Sequence, residues 1–287
     1  MTKAIGIGAD PTGDRADPSR DYEWSVSLVL TTPSPEFAEV TYEGSQMCIA
    51  MGEQSLKVTK ISAPTQDSAR RVAFQLANHF LDGLAREGIS LELDPRNSSV
   101  SAAGRTFHRL GMESGVRVSV GGNQPTARGT IGAPIKPHVS GSEAASYYRK
   151  AALANDKFDQ FRNYYLAVEN IADKITGPSA GIKEKAVLED SMRVVFQTNP
   201  VELIQSAERA MGSVNADDPI PETVSFLYVG NRCQLNHAKA SQDKLIPFRD
   251  EDEQAVARAL PLVRFVAEAF LTHEEQKLNA KEVNTNG

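Results

Sequence analysis

The spacing of apolar residues changes along this chain, and that change limits what it can fold into. Up to about residue 62 they recur at nearly every second position, as in Trp24-Ser25-Val26-Ser27-Leu28-Val29-Leu30 and Leu56-Lys57-Val58-Thr59-Lys60-Ile61. Ala38–Tyr42 and Met47–Met51 read the same way, separated by Pro33, Pro35, Gly44 and Gly52. A period of two with such separators predicts antiparallel strands. From Asp67 to Arg86 the step becomes three and four: Ala69, Val72, Ala73, Leu76, Ala77, Phe80, Leu81 and Leu84. That predicts an amphipathic helix ended by Gly88. Ile89–Leu93, stopped by Asp94-Pro95, and Val116–Val120 are expected as further strands. After Ser142 the helical step dominates. Helices are expected over Ser142–Leu153, Asp156–Ile175, Lys183–Phe196, Pro200–Met211, Pro221 to about Ala240, and Asp250 to about Leu278.

The expected architecture is therefore an α+β N-terminal domain followed by an all-α antiparallel helical bundle. Its expected bounds are a flexible lead-in over 1–20, the α+β domain over 21–120, a Gly/Pro-rich linker over 121–141, the helical domain over 142–278 and a tail over 279–287. A length of 287 residues suits two domains.

Charge narrows the partners. The chain carries 31 basic and 37 acidic side chains, a formal net of -6. A general polyanion coat is not expected of such a protein. The helical half is the acidic one, with 17 basic against 22 acidic residues over 141–287. Residues 96–140 run the other way, with six basic side chains against Glu113 alone. Their Gly, Ser and Pro content fits a linker with solvated arginines, and a basic loop meeting phosphates is the other reading. On that other reading Arg96, Arg105, Arg109 and Arg128 are the RNA-binding candidates. No apolar run approaches the roughly 20 residues a membrane helix needs, and no signal-peptide core follows Met1. Two cysteines, Cys48 and Cys233, make neither a disulfide scaffold nor a Cys-rich metal site. A cytoplasmic protein without cofactor or metal is expected.

Most catalytic motifs are absent: no Gly-Lys-Ser/Thr phosphate loop, no Gly-x-Ser-x-Gly elbow, no His-Glu-x-x-His. The segment that carries chemistry is Phe226-Leu227-Tyr228-Val229-Gly230-Asn231-Arg232-Cys233-Gln234-Leu235-Asn236-His237-Ala238. In a regular helix Arg232 and His237 would lie about 140° apart. A loosened turn near Asn236 would bring them side by side. A guanidinium grips phosphate and stabilises developing charge, and an imidazole moves protons near neutral pH. Together they suit RNA cleavage by attack of the ribose 2′-OH.

Arg-x4-His late in a helix, followed by one long amphipathic helix, resembles the HEPN superfamily (higher eukaryotes and prokaryotes nucleotide-binding domain). The resemblance spans about residues 143–275 and includes Phe161-Arg162-Asn163-Tyr164-Tyr165-Leu166-Ala167-Val168-Glu169 and the final Asp250–Leu271 helix. It implies a metal-independent endoribonuclease, dimeric through the helical domain, of the kind found in bacterial toxin and antiviral systems. Arg232 would bind the scissile phosphate and His237 would act as general acid/base. Asn231, Asn236 and Glu169 would support them, Glu169 by orienting Arg232 from a facing helix. Cys233 departs from the Asn, Asp or His often found after the motif arginine. The alternative is an inactive binding or dimerisation module with a ligand- or partner-sensing N-terminal domain, open to a protein regulator.

Overall fold

The computed structural model describes residues 22–102, 105–109, 134–139, 141–177, 184–198, 200–236, 245–246 and 249–285. The chain divides into two compact units, Met1–Ser140 and Gly141–Gly287.

In the first unit, six strands among the described residues form one antiparallel sheet. They are β1 (Tyr22–Leu30), β2 (Ala38–Tyr42), β3 (Ser45–Ile49), β4 (Ser55–Ala63), β5 (Leu93–Ala102) and β6 (Arg105–Arg109), in spatial order β2-β3-β4-β1-β5-β6. Alternation sends Trp24, Val26, Leu28 and Leu30 inward with Leu56, Val58 and Ile61. The buried Trp24 indole donates to the Ala63 carbonyl at 2.8 Å. Helix α1 (Gln66–Arg86) lays Ala69, Ala73, Leu76, Ala77, Phe80 and Leu84 over that face. Thr65 starts it with a capping box, its hydroxyl accepting from the Ser68 N–H while the Ser68 side chain accepts from the Thr65 N–H.

The strand expected over Ile89–Leu93 lies one step later. Ile89 and Leu91 are buried outside a strand, and β5 begins at Leu93 and continues past Pro95. Pro95 lacks an N–H and so should have ended the ladder. It is accommodated because the pairing with β1 jumps from Val29↔Asp94 to Leu28↔Ser98, leaving 95–97 out of register. Asp94 closes this bulge by accepting from the Arg96 backbone N–H (3.0 Å) and from the Asn97 amide (2.6 Å). Part of the stretch expected as linker or basic loop is therefore sheet. Val116–Val120 lies outside the described residues.

The second unit is helical. It contains α2 (Glu143–Leu153), α3 (Lys157–Thr176), α4 (Glu184–Val195), α5 (Pro200–Met211), α6 (Ile220–Val224), a π-helix over Ser225–Cys233, α7 (Gln234–Asn236) and α8 (Asp250–Thr285). Asp156 caps α3 by accepting from the Asp159 N–H. Helix α3 packs against α2, α4 and α8. Its buried face includes Phe161, Tyr165, Val168 and Ile171, and α8 contributes Leu262, Val263, Val266 and Phe270. Buried Ser191 of α4 donates to the Ala172 carbonyl of α3 at 3.1 Å, which fixes how those two helices meet. Among the described residues no helix is long and apolar enough to cross a membrane.

Gly83 sits inside α1, where glycine is unfavourable by roughly 1 kcal/mol relative to alanine. The backbone of Pro137-His138 explains it. A Cβ on Gly83 would collide with the His138 carbonyl oxygen and reach the Pro137 side chain at 3.1 Å. We expect Gly83→Ala to lower stability by about 1–3 kcal/mol in denaturant unfolding, because overpacking outweighs the gain in helix propensity. A stabilised variant would show that the 134–139 segment does not pack on α1.

Candidate functional site

Three helices of the second unit meet around Arg232. Helix α3 contributes Tyr165, Glu169 and Asp173, four residues apart and so stacked on one face. Helix α4 opens with Glu184. The π-helix contributes Tyr228 and Arg232. The Arg232 guanidinium lies 3.2 Å from Glu169 Oε1 and 3.1 Å from Glu184 Oε2. Its carbon sits 5.4 Å from the centre of the Tyr228 ring, a cation–π contact. The Tyr228 hydroxyl donates to the same Glu184 oxygen at 2.9 Å. The side chains of Arg232 and Glu169 are 26% and 32% exposed, whereas that of Glu184 is 59% exposed. The inner pair is thus held away from water, and the outer carboxylate is wet.

The titration shifts follow from this arrangement. Burial raises the Glu169 pKa above its ordinary value, with Arg232 pulling it down and Glu184 pushing it up. Burial opposes the charge on Arg232, but Glu169 and then Glu184 outweigh it and raise its pKa. Burial, followed by the hydrogen bond to Glu184, pushes Tyr228 up to about 12. Tyr165 is raised as well, by burial first and by Glu169 next.

Two cavities adjoin this cluster. One, of about 390 Å³, is lined by Glu169, Asp173, Glu184, Tyr165 and Arg232, with Val187 and Leu188 beneath. The other, of about 130 Å³, is lined by Phe161, Leu166 and Leu235, with Arg162 at its edge. Tyr165, Glu169 and Arg232 belong to both.

The π winding is what aims these groups. Such helices are rare and concentrate at functional sites. Their bonds run from i to i+5, so residues five apart are neighbours. Asn231 reflects this: buried, it donates its side-chain amide to the Phe226 carbonyl at 2.9 Å. Asn231 therefore braces its own helix. A reading based on 3.6 residues per turn missed Glu184, Tyr228 and Asp173. The π turn has no signal in residue type, but Tyr228 precedes Arg232 by four, a spacing at which an aromatic can meet a cation.

The other expected site residues are dispersed. His237 lies outside the described residues, and so does Arg128. Asn236 is the last residue of α7. Arg96 is in the first unit, where its guanidinium pairs with Asp94 at 3.2 Å. Arg105 and Arg109 are the end residues of β6. Cys233, which follows the arginine, is half-buried, and both cysteines are free thiols.

Residues 144–272 match the model of a family described as methylamine utilization protein MauJ. The match covers less than half of the chain. No curated protein and no solved structure matches the chain. This corrects the resemblance drawn from the Arg-x4-His spacing: the same helical stretch matches MauJ and not HEPN. The physical reason is that Arg-x4-His before a long helix is a pattern with little information.

Arg232→Ala removes the charge that lowers the Glu169 pKa and leaves a largely buried carboxylate to ionise alone. The variant should lose about 1–3 kcal/mol at pH 7. That deficit should grow as pH rises above the ordinary carboxylate range near 4.3, because the folded state then holds a proton that the unfolded state has released. Adding Glu169→Gln should recover part of the loss. Unfolding curves of both variants at pH 5 and pH 7.5 check this, and a deficit that shrinks with rising pH would contradict it.

Proposed function

We propose that the helical half is a binding module for a polar small molecule, and that the Arg232 cleft is its ligand site. The observation that carries this reading is the engagement of Arg232 by two carboxylates of its own chain. A phosphate approaching Arg232 would have to compete with Glu169 and Glu184 and would meet Asp173 nearby. Like charges at such distances disfavour an anionic substrate, so the geometry is poorly suited to gripping an RNA backbone. The paired cavities and the π-helix favour a ligand site. The family description adds a setting, the utilization of methylamine, to which a binding protein of this kind could contribute without catalysing a step.

Metal-independent RNA cleavage by Arg232 and His237 is the competing reading. It can be tested by incubating the full chain and its Arg232→Ala variant with single-stranded and structured RNAs. We expect no difference between the two proteins. Cleavage that is present in the unaltered chain and lost in Arg232→Ala would overturn the binding reading.

A further inference from the structure

The two cavities beside Arg232 share three lining residues and differ in chemistry. The larger carries the carboxylates of Glu169, Asp173 and Glu184 against the single cation Arg232, an excess of negative charge. Among the described residues no group of three His, Cys, Asp or Glu side chains is placed to hold a metal ion. Tyr165 adds an aromatic wall, which favours a cation next to it. The smaller cavity has an apolar part at Phe161, Leu166 and Leu235 and a charged part at Arg162, Glu169 and Arg232. Between the two stands a guanidinium on a flexible stem, and one of its partners, Glu184, is largely in water.

We propose that the two cavities are the two ends of one cleft for a primary alkylammonium ion, with Arg232 as the gate between them. This rests on the binding-module reading above. The ammonium sits among Glu184, Asp173 and Glu169, donating hydrogen bonds to carboxylate oxygens. The alkyl chain passes beside Tyr165 to lie against Leu166 and Leu235. For the chain to pass, Arg232 releases Glu184 and keeps Glu169, the partner it holds farther from water. The incoming ammonium replaces the guanidinium on Glu184, so that carboxylate is left with a cation in both states. An alkyl carboxylate finds no such exchange, since it would bring a further negative charge to the same oxygens.

Isothermal titration of the full chain with hexylammonium, methylammonium and hexanoate tests this, with melting curves to confirm that each variant folds. Hexylammonium should bind and hexanoate should not. Glu184→Gln should weaken hexylammonium at least about tenfold. Leu235→Ser should weaken hexylammonium while leaving methylammonium unchanged, because only the longer chain reaches the apolar end. Binding of hexanoate instead, lost in Arg232→Ala, would overturn the amine class and leave the binding module standing. Equal binding of hexylammonium to the unaltered chain and to folded Glu184→Gln would overturn the site. Absence of binding by all three compounds would overturn this proposal. The binding module itself would fall only if Arg232-dependent RNA cleavage also appeared.

Discussion

A carboxylate that is two-thirds withdrawn from water destabilises a fold unless a cation faces it. Glu169 of α3 is in that position, and Arg232 is the cation. The same guanidinium reaches Glu184 at the first residue of α4, so one charged group draws α3, α4 and the π-helix together. Apolar packing of α3 on α8 holds the unit in place, and the buried Leu227 seats the π-helix. The half-buried pair of Arg232 and Glu169 ties the π-helix to α3, and the cavities lie beside it. On the proposed ligand reading stability and recognition are linked, because the residue that neutralises Glu169 is also the one the ligand would move.

Most of the architecture was legible in the sequence. The period-two runs marked β1 to β4, and the three- and four-residue steps marked α1 and the helices of the second unit. Strand β5 was hidden because its inward positions include Ser98 beside Val100, which gives little hydrophobic alternation to detect. Pro95 added a false stop, since nothing in the composition shows that a bulge will absorb it.

The site was partly legible. Arg232 and Glu169 could be paired from chemistry alone, as a cation and an acid on helices of one bundle. Glu184 could not, because it becomes a partner only through the way α4 is set against α3. Asn231 was expected to support Arg232 and His237, and its amide is bonded to its own helix. The Arg-x4-His spacing suggested a nuclease only with a loosened turn near Asn236, and His237 lies outside the described residues.

The π winding has a wider consequence. Nine consecutive residues follow the broad π turn, and the buried amide of Asn231 offsets some of the packing lost in so wide a coil. Wound at 3.6 residues per turn, Tyr228 and Arg232 would still stand on one face, four apart, but that face would be turned differently against the buried Leu227 and Asn231. The direction of the charge is therefore stored in the pitch of the backbone. Two chains with identical residues at 169, 184 and 232 could differ in whether they possess this site at all.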